Sequence, residues 1–222
     1  MSNTIGFQEN DDLAFFGKVN ASISHELKNI LAIISEAAGL LQDLTEMATK
    51  GQKIELEMLN TCSQDIIEEV QRGFVTVKQM NKFSHSVDEP VKKVNLVDVV
   101  DLMIGLVKFL SFAGEVRFDP VPEAAPVVST CPFRLQNLLY QAMIFAFESS
   151  GPEGQVRIAI QPQENASVHI IFSDFSSSGS RSFASDEIRK IAAPIGVDIR
   201  ETGNLQSFEL VIPENVEAVR PY

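Results

Sequence analysis

The feature that most constrains this chain is a heptad rhythm of apolar residues in its first fifty positions. With Leu27 taken as an a position, Ile23, Leu27, Ile30, Ile34, Ala37, Leu41, Leu44 and Ala48 follow by alternating gaps of four and three. That spacing predicts a long helix with a single seam. Asn10-Asp11-Asp12 supplies N-cap side chains and acidic charge for its start, after a flexible tail over 1–10. Gly51 is suited to end it beyond Thr49-Lys50. A second helix is expected from near Ile54 to about Phe83, with an apolar stripe of Leu56, Leu59, Ile66, Val70, Val77 and Met80, widened by Ile67 and Phe74. Two long helices on a short loop form an antiparallel hairpin. A lone hairpin cannot bury so wide a seam, so two copies are expected to pair as a twofold four-helix bundle. The hairpin domain is placed at 11–87. Gly39 in its interior costs about 1 kcal/mol relative to alanine, and nothing in the sequence accounts for it.

His25 falls at an f position, pointing away from the seam into water. Asn29 follows by four residues and Ser22 precedes by three, so both share its face. Counting residues back from a fold at Gly51 sets Lys78 level with His25, with Arg72 and Lys82 near enough to lend positive charge. For any one of these charges, solvation of a helix face is the plainer role.

His85-Ser86-Val87-Asp88-Glu89-Pro90 interrupts the helical pattern and is expected to be a hinge. A second domain then spans 91–222. Asn95 can cap a helix from Leu96 to about Leu110, and strands are expected at Glu115–Phe118 and Val127–Ser129. Thr130-Cys131-Pro132 can open a helix to about Glu148. Strands over Gln155–Gln161 and Ser167–Ser173, a helix over Asp186–Ala193, and strands over Asp198–Glu201 and Ser207–Ile212 complete it. The fold class is therefore α+β: a helical hairpin followed by a two-layer α/β sandwich.

Composition narrows the partners. A net charge of −12 argues against nucleic acid or an anionic membrane. No stretch approaches the roughly 20 apolar residues that span a bilayer, and no secretory signal is in view. A cytoplasmic protein is expected, with Cys62 and Cys131 as reduced structural thiols.

Ser24-His25-Glu26-Leu27-Lys28-Asn29 resembles the H-box of the two-component histidine kinases, in which the histidine accepts and donates a phosphoryl group. The family usually continues with proline; here Ile30 lets the helix run on. The order of elements after residue 91 is similar to the family's ATP-binding domain, and Arg134-Leu135-Gln136-Asn137-Leu138-Leu139 looks like the start of its N-box helix. The resemblance then departs from the family in the places that hold nucleotide. Gln141 stands for the first N-box asparagine and Phe145 for the second, which helps hold magnesium; a phenyl ring offers no oxygen ligand. Asp174 follows its strand as the adenine-reading aspartate does, or serves only as a turn residue. The glycines expected after it are Ser176 and Ser178, and the glycine-rich lid is missing.

What the resemblance implies is a phosphoacceptor kept and an ATP site lost, as in a class of dimeric histidine phosphotransferase with a degenerate ATPase-like domain. Such a protein passes a phosphoryl group between aspartates of response-regulator receiver domains through His25, without autophosphorylation from ATP. Glu26 would hold the other ring nitrogen, and Ser22, Lys28 and Lys78 would support the site. No cofactor or metal is expected on this chain; magnesium would reside on the partner receiver. Two alternatives stay open. Glu26-Leu27-Lys28-Asn29 also fits the pattern by which related kinases dephosphorylate receivers, and a non-enzymatic pseudokinase scaffold would bind receivers without turnover.

Overall fold

A computed structural model describes residues 3–108, 115–119, 125–151, 154–164, 167–175, 182–202 and 206–216, with side chains from residue 11 onward. Helices α1 (Asn3–Thr49) and α2 (Leu56–Ser84) are followed by a 3-10 turn at His85–Val87. Then come β1 (Lys92–Asn95), α3 (Leu96–Lys108), β2 (Glu115–Phe118), β3 (Val127–Thr130) and α4 (Pro132–Ser150). The order closes with β4 (Gln155–Pro162), β5 (Ser167–Ser173), α5 (Asp186–Ala192), β6 (Asp198–Glu201) and β7 (Phe208–Pro213). The α+β class read from the sequence is the one observed. No helix among the described residues is long and apolar enough to cross a membrane.

The chain divides into two compact units, 16–82 and a second made of 1–15 with 83–222. This differs from the expected division at 87 and 91. Helix α1 already begins at Asn3, within the stretch expected to be a tail and well before the Asn10-Asp11-Asp12 cap. Its first residues belong with the sandwich because Phe15 is buried among Phe83, Phe133 and Tyr140, with ring centroids 5.6, 5.4 and 5.2 Å away. The expected hinge at 85–90 accordingly starts with a turn whose Ser86 is buried.

In the 16–82 unit the α1 rhythm resolves into two rows. Ile23, Ile30, Ala37 and Leu44, one heptad apart, are buried, whereas Leu27, Ile34 and Leu41 are half-covered and Ala48 is exposed. On α2 the row inside the hairpin is Leu59, Cys62, Ile66, Glu69, Gly73, Thr76 and Met80. Val70 and Val77, expected within that stripe, and Ile67 and Phe74, expected to widen it, form a separate exposed seam. Leu56, 76% exposed, belongs to neither. Gly51 ends α1 at a positive φ of 79°, where its lack of a Cβ is needed.

In the sandwich, β1 and β3 pair as an antiparallel ribbon, and the main sheet has the order β2-β4-β5-β7-β6. Only β2 and β4 run parallel; the other neighbours are antiparallel. Strict alternation sends Val156, Ile158, Ile160, Val168, Ile170, Phe172, Leu210 and Ile212 to the face covered by helices. Helix α4 fills that core with Leu135, Leu138, Leu139, Ala142, Met143 and Ala146. Asn95 caps α3 as expected, its Oδ1 accepting from the amides of Val97 and Asp98 at 2.9 and 3.3 Å. Strand β1 was not anticipated: at four residues it is too short for alternation to register, and its pairing with β3 is fixed by distant sequence. Cys62 and Cys131 are both buried free thiols.

Candidate functional site

His25 lies mid-helix in α1 with its side chain exposed, as its f position requires. The Asn29 amide, one turn on, sits with Nδ2 3.3 Å from His25 Nδ1. An i,i+4 pair on a helix surface meets in this way because side chains lean along the axis. The amide end facing the ring decides which nitrogen carries a lone pair. With Nδ2 toward the ring, its N–H donates to Nδ1 and the imidazole proton sits on Nε2. With the amide turned over, Oδ1 accepts an Nδ1–H and Nε2 is left with its lone pair toward water.

Glu26 does not take the place expected for it. Its side chain turns inward, leaving the residue 9% exposed, and Oε1 accepts from Arg72 Nη2 on α2. Arg72 Nη1 also donates to Glu69 at 3.0 and 3.1 Å. Burial pulls the Arg72 guanidinium down, but hydrogen bonds and charge from Glu26 and Glu69 outweigh it and hold the group above its ordinary value. The physical reason is the heptad position: Glu26 is at g, flanking the seam, and the guanidinium is the group across the hairpin able to neutralise a carboxylate there. The sequence offered Arg72 only as general positive charge. Lys28 and Lys78 are exposed and Ser22 is half-buried.

The positions where nucleotide chemistry was expected to fail lie in the second unit. Gln141 Nε2 donates to Asn137 Oδ1 at 3.4 Å, Asn137 Nδ2 donates to Asp12 Oδ1 at 3.5 Å, and Arg134 Nη2 lies 3.9 Å from Asp12 Oδ2. Burial raises the Asp12 carboxyl above its ordinary value; Arg134 and Asn137 oppose this and Asp11 adds to it. Phe145 sits in an aromatic cluster, its ring 6.4 Å from Phe175, 5.3 Å from Phe183 and 5.8 Å from Phe208. Phe183 stacks on Phe208 at 4.3 Å. The Glu201 carboxylate pins that segment by accepting from the Phe183 and Ala184 amides and the Ser182 hydroxyl. Asp174 holds a left-handed φ of 67°, which an aspartate tolerates at a turn after a strand. Ser176 and Ser178 lie outside the described residues. Phe145 was expected only as the counterpart of a metal-holding asparagine; what it joins was not foreseen, since its neighbours come from three other segments.

His85 Nδ1 pairs with Asp88 at 2.7 Å on an exposed turn, and His169 Nδ1 pairs with Glu209 at 2.9 Å on the sheet face away from the helices. No group of three or more His, Cys, Asp or Glu side chains among the described residues is placed to hold a metal ion.

No protein-family model matches this sequence, and no curated protein sequence matches it. Among solved structures, the chain is similar to the catalytic domain of the histidine kinase ThkA, at 17% identity and a TM-score of 0.46, over 58% of this chain and 100% of that one. It is similar to the Acinetobacter baumannii histidine kinase AdeS, at 12% identity and a TM-score of 0.46, over 80% and 95%. The ATP-binding domain of PrrB from Mycobacterium tuberculosis gives 16% identity and a TM-score of 0.44, over 59% and 100%.

Proposed function

We propose that this chain is a histidine phosphotransferase of a two-component phosphorelay, carrying a phosphoryl group on His25 between receiver-domain aspartates. The observation that carries the reading is His25 itself. It stands exposed within the Ser24–Asn29 stretch, with an amide at Nδ1 able to leave Nε2 as nucleophile. In the forward step, the Nε2 lone pair attacks phosphorus of an aspartyl phosphate, the P–O bond to the aspartate breaks, and a free carboxylate leaves. The ring becomes cationic, and its Nδ1–H is steadied by Asn29 Oδ1. The reverse step delivers the group to a second aspartate. Splitting one difficult transfer into two in-line displacements is the gain of a nucleophilic intermediate.

On this reading the second unit does not use ATP. Phe145 supplies no metal ligand, and the ring cluster it joins occupies space with apolar surface. Magnesium is supplied by the receiver. The hairpin pairs with a second copy through the seam at Ile67, Val70, Phe74 and Val77, which the hairpin by itself leaves exposed.

Purified protein is mixed with a labelled phospho-receiver, wild type beside His25→Ala. Acid-labile, base-stable label on the wild type and none on the variant is the expected outcome. Inorganic phosphate released without label on His25 would favour the phosphatase alternative, for which the exposed Asn29 amide could orient water. An intact phospho-receiver held in a stable complex would favour the scaffold.

A further inference from the structure

A carboxylate within reach of a phosphohistidine could take the proton of an attacking water, and the carboxylate next to His25 is held elsewhere. Glu26 is adjacent to His25 in sequence, yet its carboxylate is buried against α2 and engaged by Arg72, itself bracketed by Glu69. A carboxylate held across the hairpin in this way is not at hand for a water proton beside the His25 ring. The group left at the imidazole is Asn29, a neutral amide that can orient but not deprotonate.

We propose that Arg72 is a positioning residue that withholds Glu26 from His25 and so keeps a phosphoryl group on His25 from being lost to water. This rests on the phosphotransferase reading and adds a determinant of transfer over hydrolysis to it. The suppressed step is explicit. A water oxygen forms a bond to phosphorus, the P–Nε2 bond breaks, neutral imidazole leaves, and the water proton passes to the Glu26 carboxylate. With Glu26 tied to Arg72 the last transfer has no acceptor at hand. Receiver aspartates need no such base, since a carboxylate nucleophile carries no proton.

The test measures the lifetime of phosphohistidine on the full-length chain after chemical phosphorylation with phosphoramidate, using His25→Ala as the blank for label elsewhere. No receiver is involved. Failure of the relay reading would show as absence of transfer from a phospho-receiver, whereas failure of this inference shows in the lifetimes alone. Wild type and Glu26→Gln should decay at the same rate, because the carboxylate is out of use. Arg72→Gln should shorten the lifetime about tenfold, a modest share of what a positioned general base contributes. Arg72→Lys, which keeps a cation for Glu26, should stay near wild type, and Arg72→Gln/Glu26→Gln should return to the wild-type rate. The return in the double variant separates positioning from damage to the hairpin. An unchanged lifetime in Arg72→Gln, a short lifetime that persists in the double variant, or a changed lifetime in Glu26→Gln alone would each overturn the proposal.

Discussion

At the scale of single residues, the site turns on which atom faces which. Asn29 meets His25 through one amide end, and an aspartate there can only accept a hydrogen bond. Asn29→Asp should therefore fix the Nδ1–H tautomer and preserve the rate of label transfer to His25, while Asn29→Ala should slow it roughly tenfold by leaving the ring unoriented. Rapid-quench labelling of the two variants reads the difference. Asp12 gives a second prediction, on stability. Its carboxyl is raised by burial against the pull of Arg134 and Asn137. A carboxyl raised in the folded state binds its proton more tightly there, so ionisation costs stability, absent below the unfolded value and growing as pH rises through the folded one. Asp12→Asn keeps an oxygen for Asn137 and removes that cost. The melting temperature of the variant relative to wild type should climb from about pH 4 to pH 8; a fall would mean that the Arg134 pair outweighs burial. The sequence placed His25 and Asn29 on one face because helical spacing is local. It misplaced Glu26 because a carboxylate's partner across a hairpin is a matter of tertiary register.

At the scale of elements, the helices were legible where periodicity ran long, and so were several of their ends where the cap was local, though not the start of α1. Asn95, Gly51 and the proline opening α4 are of that kind. What periodicity did not separate was two apolar seams on one helix, since Ile66 and Ile67 are neighbours in sequence that face different surroundings. Nor does a pattern of strands and helices reveal that Phe145 meets rings from beyond β5, from the segment before α5 and from β7. Phe145→Ala should cost about 2–3 kcal/mol of stability by chemical denaturation, less than a fully buried phenylalanine because the residue is half-exposed. Gly39 points the other way. A Cβ there meets nothing within 4 Å and the position is helix interior, so Gly39→Ala should stabilise the chain by about 0.5–1 kcal/mol. A loss of stability in that variant would mean that another molecule packs against this face of α1.

At the scale of the whole molecule, the question is how a two-helix unit sustains itself. Residues 16–82 bury a single row per helix, interrupted by Glu69, Gly73 and Thr76, while Phe74 is 74% exposed beside Ile67, Val70 and Val77. Four apolar side chains on one heptad seam are a surface that water penalises and a second copy can cover, and twofold pairing places each seam against its own counterpart. The chain carries a net charge of −12, so association brings like charges together and should tighten as salt screens them. Sedimentation equilibrium should find a dimer whose affinity rises with ionic strength, and the melting temperature of the hairpin should rise with protein concentration. Phe74→Glu sets a desolvated carboxylate in the middle of that seam. It should yield a monomer in which the hairpin melts early and independently of concentration, while the sandwich of 1–15 and 83–222 keeps its own transition. A wild-type chain that is monomeric at every salt concentration, or a Phe74→Glu chain that still dimerises, would show that the exposed seam on α2 is not where copies meet.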